Sequence, residues 1–132
     1  EDGVSDIYVP KSFPAISDYG VLNELKTIAE KKNLKPNVGI VVTQGAFYGG
    51  VLKTNTEEQA KSGAIGLEME LACLFVAASM YGIKAGSILS VDGNALKVLQ
   101  KAEENNPDPE LLKKTVNTCA DVALEALVNF KL

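Results

Sequence analysis

The chain has 132 residues, of which 46% are hydrophobic, and a formal net charge of −4. This length suits one domain with a real core, and the scattered lysines form no basic patch that would attract nucleic acid or a membrane surface. The sequence contains no histidine, and its 13 basic residues are all lysines. Imidazole base catalysis and His-ligated zinc are therefore excluded within this chain. Any phosphate would have to be bound without the bidentate contact of an arginine.

Strands and helices alternate along the sequence. In chain order, the patterns predict a strand at 4–9, a helix at 19–32, a strand at 38–43, a helix at 56–62, a strand at 64–67, a helix that ends at 80, a strand at 84–91 and a helix at 110–130. Asp18 is the expected N-cap of the first helix, and the polar stretch from about Lys101 to Pro109 is expected to be a loop. This alternation predicts a three-layer α/β fold, with a mostly parallel or mixed sheet flanked by helices.

Ligands of such sheets bind beyond the carboxyl ends of the strands. Three loops follow predicted strands and are expected to converge there, at residues 44–50, 66–70 and 92–94. The sequence therefore predicts that a ligand-binding site is formed by these three loops.

The targeting and cysteine patterns concern the location of the protein. No apolar run reaches the ~18 residues of a membrane-spanning helix, and the N-terminus lacks a signal-peptide pattern. Cys73 and Cys119 occur in apolar helical contexts without CxxC spacing, so we expect two buried free thiols in a reducing, cytoplasmic setting. Residue 1 is Glu rather than Met, and we expect a processed chain or a piece of a longer protein.

The most apolar stretch follows two carboxylates. Glu68 and Glu70 flank Met69, and no charge occurs from Leu71 to Ala78. Because an amphipathic helix would show polar residues every three or four positions, this helix is predicted to be buried on nearly all sides. The two carboxylates either match the positive end of the helix dipole or belong to a site.

The three loops carry side chains that suit a nucleoside. Phe47 and Tyr48 stand among glycines and could stack on a flat ring, or fold back onto their own domain. Glu70 can accept two hydrogen bonds from a vicinal diol, beside the apolar surface of Met69. Asp92 ends a predicted strand, where a carboxyl that has lost water could hold and donate a proton; Asp-Gly-Asn is also an ordinary turn sequence. Together these residues predict a nucleoside site.

Several short motifs carry a family resemblance. Residues 66–72 read Gly-Leu-Glu-Met-Glu-Leu-Ala, residues 90–93 read Ser-Val-Asp-Gly, and the segment from Val38-Gly39 to Phe47-Tyr48 precedes them. With these motifs the chain resembles the C-terminal half of the hexameric purine nucleoside and uridine phosphorylases, from Asp2 to its end. The resemblance implies that residues 1–132 are the C-terminal portion, about half, of a single nucleoside phosphorylase domain.

The resemblance also implies a reaction. The enzyme would cleave the N-glycosidic bond of a nucleoside with phosphate as co-substrate, and no cofactor or metal, to give the free base and ribose 1-phosphate. Glu70 would bind the ribose hydroxyls, Met69 would pack on the sugar, and Asp92 would protonate a purine at N7.

For the base, the resemblance implies contacts with Phe47, Leu67 and Glu68, although Glu68 is left between touching the base and orienting the loop. Uridine phosphorylases read uracil with a Gln and an Arg shortly after the Phe. Val51 and Lys53 stand at those positions here, and this departure counts against uracil.

The choice of base stays open. Asp92 favours a purine, whereas Ser12-Phe-Pro-Ala15 with Asp18 looks like the uridine branch. The family's phosphate loop, a further Arg and Thr, and a neighbour's His lie in the N-terminal half, which this chain lacks. We therefore expect no phosphate-binding residue here, no activity of the chain alone, and a homo-oligomer for the complete protein. A nucleosidase and a non-catalytic nucleoside-binding or assembly module are the alternatives.

Overall fold

The computed structural model describes residues 2–48, 50–51, 54–98 and 106–130. Its elements are α1 (Ser5–Tyr8), α2 (Tyr19–Lys31), β1 (Val41–Thr43), α3 (Thr56–Lys61), β2 (Gly66–Glu68), α4 (Leu71–Met80), α5 (Ala95–Val98) and α6 (Pro109–Asn129). The α/β class is confirmed, and α2, α3 and α6 begin and end within about two residues of the predicted bounds. Of the predicted loop before α6, residues 101–105 lie outside the described residues. None of the described helices is both long and apolar enough to cross a membrane.

The chain divides into two units, and the first comprises residues 1–19 and 37–86. At its centre β1 and β2 pair in parallel, with Val41 opposite Gly66 and Thr43 opposite Glu68. The pairing is close, because a Cβ added to Gly66 would lie 2.8 Å from the Val41 side chain. Both strands therefore end at the same edge, as the sequence predicted for their carboxyl ends.

The predicted strand at residues 4–9 is wrong, since α1 occupies most of this segment. The Asp2 carboxylate accepts hydrogen bonds from the backbone N–H groups of Val4, at 3.2 Å, and Ser5, at 3.1 Å, and from the Ser5 hydroxyl. The Ser5 hydroxyl bond is the main cause of the lowered pKa of Asp2, which the backbone bonds lower further. Side-chain oxygens that bind local N–H groups favour a helical turn over an extended strand. This local bonding outweighed the apolar alternation.

The prediction that α4 is buried on nearly all sides is also wrong. Val76 and Ala78 are buried, whereas Leu74 is 48% and Met80 49% exposed. Within its unit α4 packs against α1 and β1. A helix that is apolar all round is covered only where neighbours lie against it. The predicted burial of Cys73 is wrong for the same reason. Cys73 is a free, exposed thiol.

The second unit comprises residues 20–36 and 87–132. Its core is a cluster of side chains from α2 and α6, namely Leu25, Ile28, Ala29, Val122 and Ala126. Ile28 and Val122 are fully buried. α6 is buried only in part, because Leu111 and Leu127 are 59% and 72% exposed. Cys119, predicted to be buried, is half-buried and free.

Residues 84–91 form no strand in the described part of the chain, contrary to the prediction. A strand requires a ladder of backbone hydrogen bonds to a neighbour. Here the Ala85 carbonyl accepts from the backbone N–H of Asp18 at 2.7 Å, and the Ser90 hydroxyl bonds the Thr115 hydroxyl at 2.7 Å. These are single contacts rather than a ladder, so the apolar run stays irregular.

Candidate active site

The centre of the candidate site is the edge where β1 and β2 end together. The register places Thr43 opposite Glu68, and the backbone N–H of Gln44 donates to the Glu68 carbonyl at 2.8 Å, one residue beyond the ladder. The Thr43 hydroxyl donates to Oε1 of Glu68. Thr43 is 8% exposed, so this contact lies at the inner side of the edge.

The second oxygen of Glu68 binds the start of α4. Glu68 Oε2 accepts from the backbone N–H of Glu70 at 2.7 Å and of Leu71 at 2.6 Å. The Thr43 hydroxyl oxygen accepts from the N–H of Ala72 at 3.0 Å. The first N–H groups of a helix lack partners within it, and a carboxylate there also meets the positive end of the helix dipole. Thr43 and Glu68 together therefore cap α4.

Glu70 differs from Glu68 in its surroundings. It occupies the N-cap position but makes no side-chain cap bond, and it is exposed. Its carboxylate accepts one long contact, from the N–H of Met69 at 3.3 Å. Met69 and Leu67 are half-buried on either side of Glu68. Of the two carboxylates in this motif, Glu70 is the one whose oxygens face solvent and can accept from a ligand.

Two aromatic side chains project from the loop that follows β1. Phe47 is 71% and Tyr48 86% exposed. Their rings meet edge to face, with centroids 5.2 Å apart. Neither ring folds back into a core, so the alternative weighed from the sequence does not hold for this loop. Val51 is exposed as well, and Lys53 lies outside the described residues.

Gly45 fixes the path of this loop. A Cβ there would lie 2.6 Å from the backbone oxygen of Asp2, closer than real contacts allow, so any larger residue would push the loop away. The Gln44 side chain donates to the Ala46 carbonyl at 2.6 Å and tightens the same turn. The loop that carries Phe47 is thus held at its base by contacts within the first unit.

Asp92 belongs to the second unit. It is exposed. Water therefore reaches its carboxyl, whereas the sequence analysis expected a carboxyl that has lost water. Downstream, Asn94 accepts a hydrogen bond from the N–H of Leu96 at 3.0 Å and begins α5. The segment is a turn into a short helix, which the sequence analysis missed. The role of Asp92 in proton donation stays a prediction.

A separate concavity lies beside β1 and α3. It is an open groove of about 580 Å³, lined by Ile40, Val42, Asn55, Glu58, Gln59, Ser62 and Ala64. None of the residues predicted for the site lines it. In the described part of the chain no three Cys, Asp or Glu side chains gather as they would around a metal ion.

Thr43 is the site residue that the sequence analysis missed. It closes a β-branched strand, and a buried threonine there is ordinary. Its contacts are with residues 25 and 29 positions further along the chain. No local pattern announces them, and the parallel register that creates them is a tertiary feature.

Comparison with known proteins gives consistent matches. The family described as the Phosphorylase superfamily matches residues 1–130. A guanosine phosphorylase of Halorubrum lacusprofundi is 32% identical over 128 residues, 96% of this chain and 53% of that protein. A uridine phosphorylase of Haemophilus influenzae is 24% identical over 138 aligned positions, 95% of this chain and 52% of that protein.

A solved structure also matches. The P. knowlesi homologue of P. falciparum PNP superposes with a TM-score of 0.71 at 30% sequence identity, over 95% of this chain and 51% of that one. The chain thus spans about half the length of the relatives it matches.

Proposed function

Because this chain belongs to the phosphorylase superfamily, we propose that the protein containing it is a nucleoside phosphorylase. It would transfer the pentosyl group of a nucleoside to phosphate and release the free base. The observation that carries the proposal is the exposed Glu70 carboxylate at the start of α4, in the same unit as the exposed Phe47 and Tyr48 rings.

The proposed sugar site is Glu70 with Met69. Two neighbouring hydroxyl groups of a ribose can each donate to one carboxylate oxygen. Each hydrogen bond to a charged group contributes about 1.5–3 kcal/mol, after the lost hydrogen bonds with water are subtracted. The half-buried Met69 offers an apolar surface to the sugar ring.

The proposed base site consists of Phe47 and Leu67. Leu67 stands two residues before Met69 in the sequence. Offset or edge-to-face contact between Phe47 and a flat base is favourable, and Phe47 is accessible for it. Asp92 is the proposed general acid. Its proton would go to the base nitrogen as the glycosidic electron pair moves onto the base, while a phosphate oxygen attacks C1 of the cation-like sugar.

The phosphate side of the site is proposed to come from outside this chain. The sequence has no arginine, and it spans about half the length of its relatives. We propose that residues 1–132 are the C-terminal portion of one domain and that the complete protein assembles as a homo-oligomer.

The free thiols of Cys73 and Cys119 support a cytoplasmic location for the protein. The proposed reaction uses phosphate as its co-substrate and needs no cofactor.

A purine is the proposed base. The guanosine phosphorylase of H. lacusprofundi is more similar to this chain than the uridine phosphorylase of H. influenzae, and Val51 stands where uridine enzymes carry Gln. Uridine is the second candidate, since the chain also aligns with that uridine enzyme over 95% of its length.

The test is base release from guanosine, inosine and uridine by the complete protein, with and without phosphate. We expect purine release that requires phosphate. Release that ignores phosphate would instead show a nucleosidase, and binding without release would show a non-catalytic module. Asp92→Asn should reduce turnover far more than nucleoside binding; unchanged turnover would remove Asp92 from the mechanism. The isolated chain should be inactive, and rapid turnover by it would refute the divided site.

A further inference from the structure

Glu68 is the acidic residue of the motif that the proposed chemistry leaves without a role. Its carboxylate is half-buried and already has three donors around it. Oε1 accepts from the Thr43 hydroxyl, and Oε2 accepts from the N–H groups of Glu70 and Leu71. A group engaged in this way has little capacity left for a ligand.

The bonds of Glu68 converge on the backbone of Glu70. The 2.7 Å bond holds the N–H of Glu70 itself, and the next two N–H groups, of Leu71 and Ala72, are held by Glu68 and Thr43. Three consecutive backbone groups are thereby tied to the ends of two parallel strands. The direction in which the Glu70 side chain leaves the backbone is set by this arrangement rather than by contacts of its own carboxylate.

We propose that Glu68 and Thr43 are positioning residues for Glu70. They anchor the start of α4 so that the Glu70 carboxylate stands where it can take both ribose hydroxyls. This inference rests on the proposed function and assigns Glu68 to orientation of the loop, rather than to contact with the base. A misplacement of about 1 Å in a binding group can lower a rate by about 10²-fold, so the anchor is expected to affect catalysis without touching substrate.

The chain offers a matched pair of variants. Thr43→Val removes both the hydroxyl that donates to Glu68 and the oxygen that accepts from Ala72, at nearly the same volume. Thr43→Ser keeps the hydroxyl and loses only a methyl group. Glu68→Gln is the second perturbation: its amide oxygen can still accept from the two N–H groups, but its amide nitrogen cannot accept from the Thr43 hydroxyl, so the bond that Oε1 accepts from Thr43 is lost. It is also isosteric, which protects the test if Thr43→Val folds poorly.

The readout is the ratio of kcat/KM for guanosine to that for 2′-deoxyguanosine, measured with the complete protein and phosphate. The deoxy substrate lacks one of the hydroxyls that Glu70 would bind. We expect Glu70→Ala to lower the ratio, Thr43→Val to lower it by roughly fivefold or more, and Thr43→Ser to leave it close to wild type. In the Glu70→Ala background, Thr43→Val should have no further effect on the ratio.

The outcomes distinguish a failure of the proposed function from a failure of the positioning role. A wild-type protein that neither cleaves nor binds nucleosides would refute the proposed function. A wild-type enzyme that responds to Glu70→Ala but not to Thr43→Val or Glu68→Gln would overturn the positioning role alone. Glu68→Gln that alters the preference of guanosine over uridine, with an unchanged ribose-to-deoxyribose ratio, would also overturn it and assign Glu68 to the base.

Discussion

The N-cap of α6 allows a sharp prediction of stability. Asp108 has an extended backbone, and its Oδ1 accepts from the N–H of Glu110 at 2.9 Å and of Leu111 at 3.1 Å. Pro109 brings no N–H of its own, and the N–H of Leu112 donates to the Asp108 carbonyl. Asp108→Ala would therefore remove the side-chain partner of both remaining first-turn donors.

The magnitude follows from exposure. Glu110 and Leu111 are exposed, so water can replace the lost oxygen, and the cost belongs near the middle of the range for N-caps, about 1 kcal/mol. Asp108→Asn keeps the accepting oxygen and loses only the charge. For an exposed group the interaction of that charge with the helix dipole contributes about 0.3–1 kcal/mol at low salt.

Urea unfolding of the full chain, followed by far-ultraviolet circular dichroism, measures both variants. Asp108→Ala should lower the free energy of unfolding by about 1 kcal/mol, with Asp108→Asn between it and wild type. Added salt should shrink the difference between Asp108→Asn and wild type, because it screens the charge. Asp108 does not cap α6 if Asp108→Ala is as stable as wild type, or if Asp108→Asn is as damaging as Asp108→Ala.

Two further predictions concern the thiols and one ion pair. A disulfide reagent at mildly alkaline pH should label the exposed Cys73 quickly and Cys119 slowly, because burial raises the pKa of the Cys119 thiol. Cys73→Ser should abolish the fast phase of labelling, and equal labelling rates for the two thiols would contradict this prediction. The Glu125 carboxylate, 2.7 Å from the Lys32 ammonium, raises the pKa of Lys32 above 10.5, so the stabilisation is present below that pH and lost as pH rises through the folded pKa. At pH values below 10.5, Glu125→Gln should therefore lower the urea concentration at the unfolding midpoint, and well above that pH it should not. Glu30→Gln, in the longer 3.6 Å pair with Lys26, should change the midpoint less. A loss of stability in Glu125→Gln that is the same at every pH would refute the pairing.

The family was anticipated from the sequence more fully than the details of the fold. The family resemblance stated from the Glu-Met-Glu motif is confirmed by the match over residues 1–130. The exposure of Phe47 and Tyr48 was one of two alternatives weighed, and the structure favours it. The ligand contacts assigned to Glu70, Phe47 and Asp92 stay predictions.

The errors have two causes, namely local hydrogen bonds and, among the described residues, the absence of neighbours to pack or pair with. The strand predicted at residues 4–9 lost to the local bonds of Asp2, and the strand predicted at 84–91 found no ladder in the described part of the chain. The burial predicted for α4 assumed neighbours on every side, and the exposure of Leu74 and Met80 shows that the described residues do not supply them. Apolar periodicity tells which side chains can be buried, but burial and pairing depend on what packs against them.

Glu68 and Glu70 illustrate the division most clearly. Their spacing at the start of an apolar helix, the α/β class and the bounds of α2 and α6 were readable from the sequence, because periodicity and capping act over a few residues. The difference in role between the two carboxylates was not readable. It arises because the parallel register of β1 and β2 brings Thr43 beside Glu68 from 25 positions away, engages one carboxylate in the cap of α4, and leaves the other exposed to solvent.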